Sequence, residues 1–266
     1  MLQISFIIIE YHSIQDVTEC AASITRTCGD ISHEIIVSSN STYSEEERAI
    51  LIDTHPVIQW VFNTVNGGFA YGMNCGLAKS AGDIVVITNP DVRIQSENIA
   101  DAISFLQINK QVGLIGPQII DTIGAIQDTC RPFMSPSHFL RRIPQRIFKG
   151  KDVLLEKGFN YKRPQAVDWV IGAFMMVRRD ALKKVGGLDE EYFLYIEDMD
   201  WCMRFWKNNL QVVYYPDLQV EYKGDRKSTS TITKRKFVNR YMYYHFKSYI
   251  RFLMKFGLNP QRPSIC

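Results

Sequence analysis

Short apolar runs alternate with amphipathic segments along the first ninety residues of the chain. Residues 4–9 are almost entirely apolar, which is typical of a strand covered on both faces of a sheet. The predicted strands cover residues 4–9, 34–37, 58–62 and 82–87, and the predicted helices cover residues 14–27, ended by Gly29, and 45–53. Strands that alternate with helices indicate a mostly parallel sheet. Ligands bind outside the carboxyl ends of such strands, where we expect Glu10, Asn40 and Asp91.

The pattern is weaker in the second half of the chain. Between residues 131 and 165, four prolines and several basic residues interrupt it, which predicts a mobile loop with a short helix, as a lid or an acceptor-side element. Beyond it we expect a strand over 167–177, a short helix over 179–184, a helix over 197–208 and a strand over 212–215. Met199, Met203 and Trp206 should face the core.

Composition narrows the class of protein. The 266 residues are enough for one large α/β domain or a domain with an appendage, and a net charge of +3 gives no reason to expect nucleic acid as a partner. Six scattered cysteines without a C-x-x-C pair favour a reducing cytosol over a zinc site. The first apolar run is too short for a signal peptide, and none approaches the ~20 residues that span a membrane. We expect a chain in the cytosol or on a membrane surface.

Three carboxylates lie within four residues, directly after an aromatic and apolar run: Glu197, Asp198 and Asp200. Grouped carboxylates repel one another and burial raises their pKa, so they need protons, cations or donors nearby. One of them in a cleft can act as a general base on a hydroxyl. The structural alternative is capping of a helix N-terminus, and we expect Asp200 to pair with Arg204 at the (i, i+4) spacing. That alternative suits Asp198 less, because the aromatic run draws it towards an apolar cleft.

Two other segments have both a functional and a structural interpretation. The glycine-rich segment 66–76 leads into a helix whose N-terminus favours a phosphate, or it forms only a tight strand-to-helix connection. Asp91 offers an oxygen ligand to Mg²⁺ or Mn²⁺ on a diphosphate, or Asn89-Pro90-Asp91 forms only a turn. Taken alone, the glycines favour neither interpretation and the Asn-Pro-Asp segment favours the turn.

Taken in order, these segments resemble glycosyltransferase family 2, particularly its rhamnosyltransferase-like members. The matching segments are 4–13, 34–42, Asn66-x-Gly68-Phe69-x-x-Gly72-x-Asn74-x-Gly76, Thr88-Asn89-Pro90-Asp91-Val92, Gly172-Ala173-Phe174-Met175, Gly187-Leu188-Asp189-Glu190, Phe193-Leu194-Tyr195-x-Glu197-Asp198-x-Asp200 and Tyr215-Pro216. The resemblance covers about residues 4–255, with a gap in the middle loop. It implies an α/β protein of the GT-A fold, with a Rossmann-like, mostly parallel central sheet flanked by helices. Residues 1–222 would form this domain, with a nucleotide-binding half (about 1–92) and an acceptor-binding half (about 93–222), followed by a basic, aromatic, helical extension (223–266).

The resemblance also implies roles for individual residues. Asp198 matches the base that takes a proton from the acceptor hydroxyl, so that the sugar is transferred with inversion in one displacement. Asp91 matches the last position of the family's D-x-D motif, which binds Mg²⁺ or Mn²⁺ on the donor diphosphate. Donor binding is expected of Glu10, Tyr11, Ser39, Asn40, Gly68, Phe69, Asn74, Asn89 and Asp91, and acceptor binding of Trp169, Gly172 and Glu197.

Three positions depart from the family pattern. Ser39 stands where the second strand usually ends in an Asp, Asn89 replaces the first Asp of D-x-D, and Tyr222 stands where a His often follows the late strand. The metal site is the part that these departures affect most. Lys223 and Arg226, or Lys227, are expected to carry part of the diphosphate charge instead.

The segment 234–256 interleaves basic and aromatic residues. An amphipathic basic helix of this kind suits an anionic membrane surface, which we favour slightly over a domain-packing helix with a solvated basic face. The resemblance thus predicts an inverting transferase, with dTDP-rhamnose as donor and UDP-sugars as the nearest alternative. The acceptor that the resemblance implies is a growing, lipid-linked glycan of a surface polysaccharide such as O antigen, at the inner face of the cell membrane. A non-catalytic nucleotide- or glycan-binding relative and a homodimer stay open.

Overall fold

The computed structural model describes residues 3–95, 98–127, 129–137, 139, 159–223 and 235–263. This part of the chain contains eleven strands and seven helices. The strands are β1 (Ile4–Glu10), β2 (His33–Ser39), β3 (Ile58–Phe62), β4 (Ile84–Thr88), β5 (Val92–Ile94), β6 (Val112–Ile120), β7 (Cys130–Arg131), β8 (Gln165–Ala166), β9 (Trp169–Val170), β10 (Phe174–Arg178) and β11 (Gln211–Tyr222). The helices are α1 (Ile14–Cys28), α2 (Glu45–Thr54), α3 (Phe69–Leu77), α4 (Ile99–Ile108), α5 (Arg179–Val185), α6 (Glu197–Lys207) and α7 (Arg235–Phe256).

Nine of the strands form one sheet in the order β3-β2-β1-β4-β10-β6-β11-β5, with β8 paired to β11. The first four strands of this order are parallel to one another, and β6 is parallel to β11. The strand β10 runs antiparallel between β4 and β6, and β5 runs antiparallel to β11. The prediction of a mostly parallel sheet flanked by helices is confirmed. Because chain order reverses at β1, the carboxyl ends of β1 and β4 border the crevice where such sheets bind ligands.

Both faces of the sheet are covered, which explains why β1 is apolar at nearly every position. Ile7 and Ile9 belong to a core that also contains residues of α3, α6 and α7. Phe6 and Ile8, which point the other way, belong to a second core with α1 and α4. Successive strand residues face opposite sides, so a strand between two cores is apolar at nearly every position.

The sequence pattern does not predict β6, although this strand lies inside the sheet. Gly113, Gly116 and Pro117 interrupt its apolar run and resemble loop signals. In the structure a methyl group at Gly113 would overlap the Phe205 ring, and one at Gly116 would overlap Val170. These glycines therefore allow close packing of α6 and β9 on the strand. Helix α4 was likewise not predicted.

Two other predicted elements have different bounds in the structure. The strand β11 continues past Tyr215 to Tyr222, because pairing with β6 resumes at Gln219 after an irregularity around Pro216. The strand predicted over 167–177 is divided into β9 and β10 by residues 171–173. Most of the loop predicted over 131–165, with its short helix, lies outside the described residues.

The C-terminal helix α7 packs on the domain through one face. Tyr249 and Phe252 are buried in the core, and the Tyr249 hydroxyl donates to the Met134 carbonyl at 3.0 Å. None of the helices in the described part of the chain combines the length and apolar character needed to cross a membrane.

Candidate active site

Residues 171–173 connect β9 to β10 and join two groups of predicted site residues. The Gly172 N–H donates to Asp198 Oδ2 at 2.8 Å. The next carbonyl, that of Ala173, accepts hydrogen bonds from the Asn89 N–H at 2.9 Å and from Thr88 Oγ1 at 3.2 Å. The carboxylate of the acidic cluster and the Asn-Pro-Asp turn are therefore attached to consecutive residues of one short connection.

Asp198 lies in the first turn of α6 and is half-buried. Besides the Gly172 contact, its Oδ1 accepts the Met199 N–H at 2.7 Å. Burial raises the pKa of Asp198, and the two backbone donors and the charge of Arg131 oppose that rise. A carboxylate with a raised pKa and fixed orientation has the properties of a general base.

Glu197 is next to Asp198 but is buried more deeply, with 6% of its surface exposed. Burial, and then the negative charge of Asp198, raise its pKa well above the ordinary carboxyl value. Its Oε2 atom is buried, and no donor among the described residues reaches it. An unpaired buried carboxyl oxygen is costly, so a protonated Glu197, or one that meets a substrate hydroxyl, is the favourable state.

Asp200 has the structural role predicted for it. Its Oδ1 accepts from Arg204 Nε at 2.8 Å across one helical turn. Its Oδ2 also accepts from Lys255 Nζ at 2.6 Å and from the Tyr192 hydroxyl at 3.3 Å. With three donors and no exposed surface, Asp200 joins α6 to α7.

Asn89 and Asp91 meet the end of β11 at one corner of the sheet. Asn89 Nδ2 donates to the Tyr222 hydroxyl at 3.4 Å, and the Lys223 N–H donates to the Asp91 carbonyl at 3.2 Å. Tyr222 therefore lies beside the D-x-D position, as its place in the family pattern predicts. Arg226 and Lys227 lie outside the described residues.

The ammonium of Lys223 already has a carboxylate partner at this corner. Its Nζ lies 2.6 Å from Glu19 Oε2, and Arg93 Nη2 lies 2.6 Å from the same oxygen. Hydrogen bonds from Arg93 and Lys223 lower the pKa of Glu19 to about 2. In this conformation Lys223 is paired with Glu19, so its predicted diphosphate contact stays a prediction.

The side chains near Asp91 suit a cation that arrives bound to the nucleotide sugar. No group of three His, Cys, Asp or Glu side chains that could hold a metal occurs in the described part of the chain. Mg²⁺ commonly keeps several waters and binds through one or two carboxylates plus substrate phosphates. One carboxylate, that of Asp91, with Asn89 and Tyr222 beside it, fits this mode and does not fit a metal held by the protein alone.

A buried polar cluster marks the carboxyl ends of β1 and β2. Glu10 has no exposed surface, and it accepts from Ser39 Oγ at 2.5 Å, from Ser41 Oγ at 3.2 Å and from the Ser13 N–H at 2.9 Å. Ser39, which replaces the family's Asp, is thus bonded to a carboxylate from the neighbouring strand. Tyr11, directly after Glu10, is exposed to solvent.

Asn40 connects this cluster to the glycine-rich segment. Its Nδ2 donates to the Gly68 carbonyl at 2.9 Å, and its Oδ1 accepts from Asn63 Nδ2 at 2.9 Å. Both ends of the amide are therefore occupied within the protein. In this conformation Glu10 and Asn40 order the carboxyl ends of β1 and β2, and their direct contact with a nucleotide sugar stays a prediction.

The glycines of segment 66–76 are explained by close packing. Methyl groups at Gly72 and Gly76 would overlap Ile9 and Ile7 of β1, so these glycines let α3 approach the sheet. At the N-terminus of α3, Gly68 has φ of 92°, and the Phe69 N–H donates to the Phe193 carbonyl at 2.9 Å. The Phe69 N–H, which a bound phosphate would need, is thus already bonded to the loop that leads to Asp198. This favours the structural interpretation of the glycines.

The remaining predicted contacts differ in their surroundings. The Phe69 ring lies beside Gly172, which places it with Asp198. Asn74 is occupied by the Leu188 backbone, with Nδ2 donating to its carbonyl and Oδ1 accepting its N–H, each at 2.9 Å. Trp169 is 4% exposed, and its Nε1 donates to the Pro132 carbonyl at 3.0 Å. Asn74 and Trp169 have structural partners, and their substrate contacts stay predictions.

Arg131 and Phe193 belong to the site but were not predicted as site residues. Arg131 acts electrostatically on Asp198, and its guanidinium lies 5.8 Å from the centre of the Trp169 ring. Only the pairing of β7 with β9 brings it there, so no local motif indicates it. Phe193 lies within the family motif, and in the structure its carbonyl accepts the Phe69 N–H while its ring stacks on Tyr244 of α7.

The chain is similar to known proteins over most of its length. It is 26% identical over 212 residues to the N-acetylglucosaminyl-diphospho-decaprenol L-rhamnosyltransferase of Mycobacterium tuberculosis, covering 70% of this chain and 64% of that protein. It is 25% identical over 214 residues to the low-salt glycan biosynthesis hexosyltransferase Agl10 of Haloferax volcanii, covering 79% of this chain and 63% of that protein. The chain thus spans a little under two thirds of the length of these relatives.

The fold and the family follow from two further comparisons. The mannosyltransferase PcManGT of Pyrobaculum calidifontis, solved with GDP-Man and Mn²⁺, matches with a TM-score of 0.58 at 18% identity, covering 98% of this chain and 66% of that one. This confirms the GT-A fold. A family model described as glycosyl transferase family group 2 matches residues 84–257, more than half of the chain. The chain belongs to glycosyl transferase family group 2.

Proposed function

We propose that this chain transfers a sugar from a nucleotide-sugar donor to a hydroxyl of a glycan acceptor, with inversion at the anomeric carbon. The observation that carries this proposal is the Gly172–Ala173 connection, which joins the raised-pKa carboxylate of Asp198 to the Asn89–Asp91 corner. Residues 1–92 supply most of the donor side, and residues 93–222 supply the acceptor side.

The reaction is one displacement. Asp198 takes the proton of the acceptor hydroxyl, whose oxygen forms a bond to the anomeric carbon. The bond between that carbon and the diphosphate oxygen breaks on the opposite face, and the nucleoside diphosphate leaves with the electron pair. Asp91 would hold Mg²⁺ or Mn²⁺, which would supply positive charge to stabilise the leaving nucleoside diphosphate. Glu197, beside the base, offers its unpaired Oε2 to the acceptor.

We propose dTDP-rhamnose as the donor and a lipid-linked glycan as the acceptor. The name of the mycobacterial relative, a rhamnosyltransferase acting on a diphospho-decaprenol, supports rhamnose as the sugar and a lipid-linked acceptor. UDP-sugars are the nearest alternative donors. A membrane-bound acceptor agrees with the outer face of α7, where Met242, Phe246, Ile250 and Met254 repeat every fourth residue and are all exposed. We call these four residues the outer row, and the basic Lys247 lies beside them. We propose that the outer row binds the anionic inner face of the cell membrane.

The test compares the wild-type chain with Asp198→Asn and with Asp53→Asn, an exposed control on α2. Calorimetry with dTDP-rhamnose and with UDP-sugars, each with and without Mn²⁺, measures donor binding. Release of nucleoside diphosphate in the presence of a GlcNAc-diphospho-polyprenol acceptor measures transfer. We expect Asp198→Asn to retain donor affinity but lose at least about 10²-fold in turnover, the usual size of a general-base contribution.

Three outcomes would change the proposal. Tighter binding of a UDP-sugar overturns the donor assignment, and Mn²⁺-independent binding overturns the role of Asp91. Donor binding without nucleotide release by the wild-type chain would favour the second candidate, a non-catalytic nucleotide- or glycan-binding relative. The observations favouring that candidate are Ser39, Asn89 and Tyr222 at three positions of the family's donor site.

A further inference from the structure

We propose that the inner face of α7 positions the catalytic carboxylate by holding the turn through which the chain enters α6. This proposal rests on the proposed function, because it deepens the role of Asp198. Tyr244, His245 and Ser248 of α7 become positioning residues, which act on Asp198 through residues 193–196 and do not touch substrate.

The turn before α6 has an unfavourable backbone conformation. Tyr195 has φ of 69° and Ile196 has φ of 72°, so two consecutive residues that are not glycine are left-handed. A β-branched residue such as Ile is especially rare in that region. No side-chain cap closes the N-terminus of α6 at Ile196. A strained turn persists only when its surroundings hold it, and such turns cluster at functional sites.

Two helices, α3 and α7, donate hydrogen bonds to this turn. From α3, the Phe69 N–H donates to the Phe193 carbonyl at 2.9 Å. From α7, Ser248 Oγ donates to the Leu194 carbonyl at 3.0 Å.

Two aromatic contacts reinforce the hold from α7. The Tyr244 ring stacks on Phe193, with 4.7 Å between ring centres and 24° between planes. The His245 ring lies 5.2 Å from the ring of Tyr195.

The helix α7 also holds the chain on the other side of the base. Lys255 Nζ lies 2.6 Å from Asp200 Oδ2, two residues beyond Asp198. Contacts from α7 therefore fix residue 194 before the base and residue 200 after it. Because Asp198 lies between these two points, a shift of α7 rotates the first turn of α6 and moves the carboxylate relative to Gly172.

The experiment compares Ser248→Ala, which removes the hydroxyl, with Ser248→Thr, which keeps it. The matched control is Ser104→Ala on the exposed face of α4. A second variant, Tyr244→Leu, removes the ring that stacks on Phe193. The first readout is amide hydrogen exchange in peptides that cover residues 193–200, which needs no substrate. The second is kcat and donor KM with dTDP-rhamnose, measured well below the melting temperature of each variant.

We expect faster exchange over residues 193–200 in Ser248→Ala and Tyr244→Leu, and no change in Ser104→Ala. We also expect kcat to fall about tenfold or more, since small misplacements of a reacting group have effects of up to about 10²-fold. Donor KM should stay within about twofold, because the donor corner lies across the Gly172–Ala173 connection, and Ser248→Thr should restore kcat.

Unchanged exchange in Ser248→Ala and Tyr244→Leu overturns the proposal, whether or not the wild-type chain transfers sugar. A loss of melting temperature with unchanged kcat also overturns it, because α7 would then only stabilise the fold. Faster exchange together with no nucleotide release by the wild-type chain would support the hold on the turn and contradict the proposed function alone.

Discussion

Neighbouring carboxyl groups at the start of α6 have different surroundings, which favour different protonation states. Asp198 accepts two backbone N–H groups, whereas Glu197 Oε2 has no donor among the described residues. The charge of Asp198 is one cause of the raised pKa of Glu197. We infer that Asp198 loses its proton first and that Glu197 stays protonated while Asp198 acts as the base.

Replacement Glu197→Gln tests this division through stability. A carboxyl whose pKa is raised by folding binds its proton more tightly when folded, so the wild-type protein loses stability as the pH rises above the ordinary value of 4.5. Glutamine has no such proton. As the pH rises, the free energy of unfolding of the variant should therefore increase relative to that of the wild type, by at most about 1.4 kcal/mol per pH unit.

Urea denaturation at a series of pH values between about 4.5 and 8 measures this difference. Parallel curves for the two proteins would show that Glu197 has the same pKa in both states. The variant Glu45→Gln, at an exposed position of α2, serves as the control and should follow the wild type.

For the contacts of individual residues, the sequence predicts only what a local pattern encodes. The pairing of Asp200 with Arg204 follows from the (i, i+4) spacing and is confirmed. The bond from Lys255 to the same carboxylate could not be predicted, because the two residues are 55 positions apart. Arg131 was missed for the same reason.

The helices α3 and α7 hold the loop that leads to Asp198. Gly68, at the N-terminus of α3, lies against this loop at Phe193. A methyl group there would overlap the backbone carbonyl of Phe193, and the φ of 92° is one that side chains rarely adopt. Gly68→Ala should therefore lower the free energy of unfolding by more than about 2 kcal/mol.

Gly124→Ala is the matched control for that prediction. Gly124 has a similar φ of 80°, but nothing lies within 4 Å of the added methyl group. It should show only the backbone cost, about 1–2 kcal/mol. Equal losses in the two variants, measured by urea denaturation, would mean that the contact with Phe193 is unimportant.

The attachment of α7 gives another prediction for an element. Asp200→Ala leaves Arg204 and Lys255 without their shared carboxylate, and breaking such a buried pair costs about 3–5 kcal/mol. Lys255→Met should cost less, because Arg204 still neutralises Asp200 and about a third of the Lys255 side chain is already exposed. The same loss in both variants, in denaturation curves, would contradict this account.

Periodicity predicts the elements up to β4 well and does not predict α4 and β6, which follow. The strands that periodicity predicts lie between two apolar cores, so their sequences are mostly apolar. The strand β6 was missed because packing against Phe205 and Val170 demands glycines, which read as turns. The extension of β11 was missed because Pro216 is accommodated by an irregularity in the pairing.

For the whole molecule, the outer row of α7 predicts how the protein meets a membrane. Replacing Met242, Phe246, Ile250 and Met254 together by Ser should weaken binding to phosphatidylglycerol-containing vesicles at least about tenfold, since burial of apolar groups contributes about 0.8 kcal/mol per methylene. Binding should also fall with added salt and be weaker to pure phosphatidylcholine vesicles. Flotation of the protein with the vesicles measures both effects.

Ile50 and Ile52 of α2 offer the matched control, since both are exposed but lie on another part of the molecule. The same change to Ser there should leave flotation unaltered. An equal loss of flotation in both variants would indicate nonspecific hydrophobic binding. No loss in either would contradict the membrane role of the outer row.

The connection through Gly172 and Ala173 has a consequence for which substitutions can alter it. One peptide unit separates the residue bound to Asp198 from the residue bound to Asn89, and consecutive Cα atoms are about 3.8 Å apart in every trans chain. The proposed base and the Asn89 backbone are therefore linked through one peptide unit and one hydrogen bond at each end, and no exposed side chain takes part in this link. Substitutions at exposed positions such as Tyr11 should therefore leave this link unchanged.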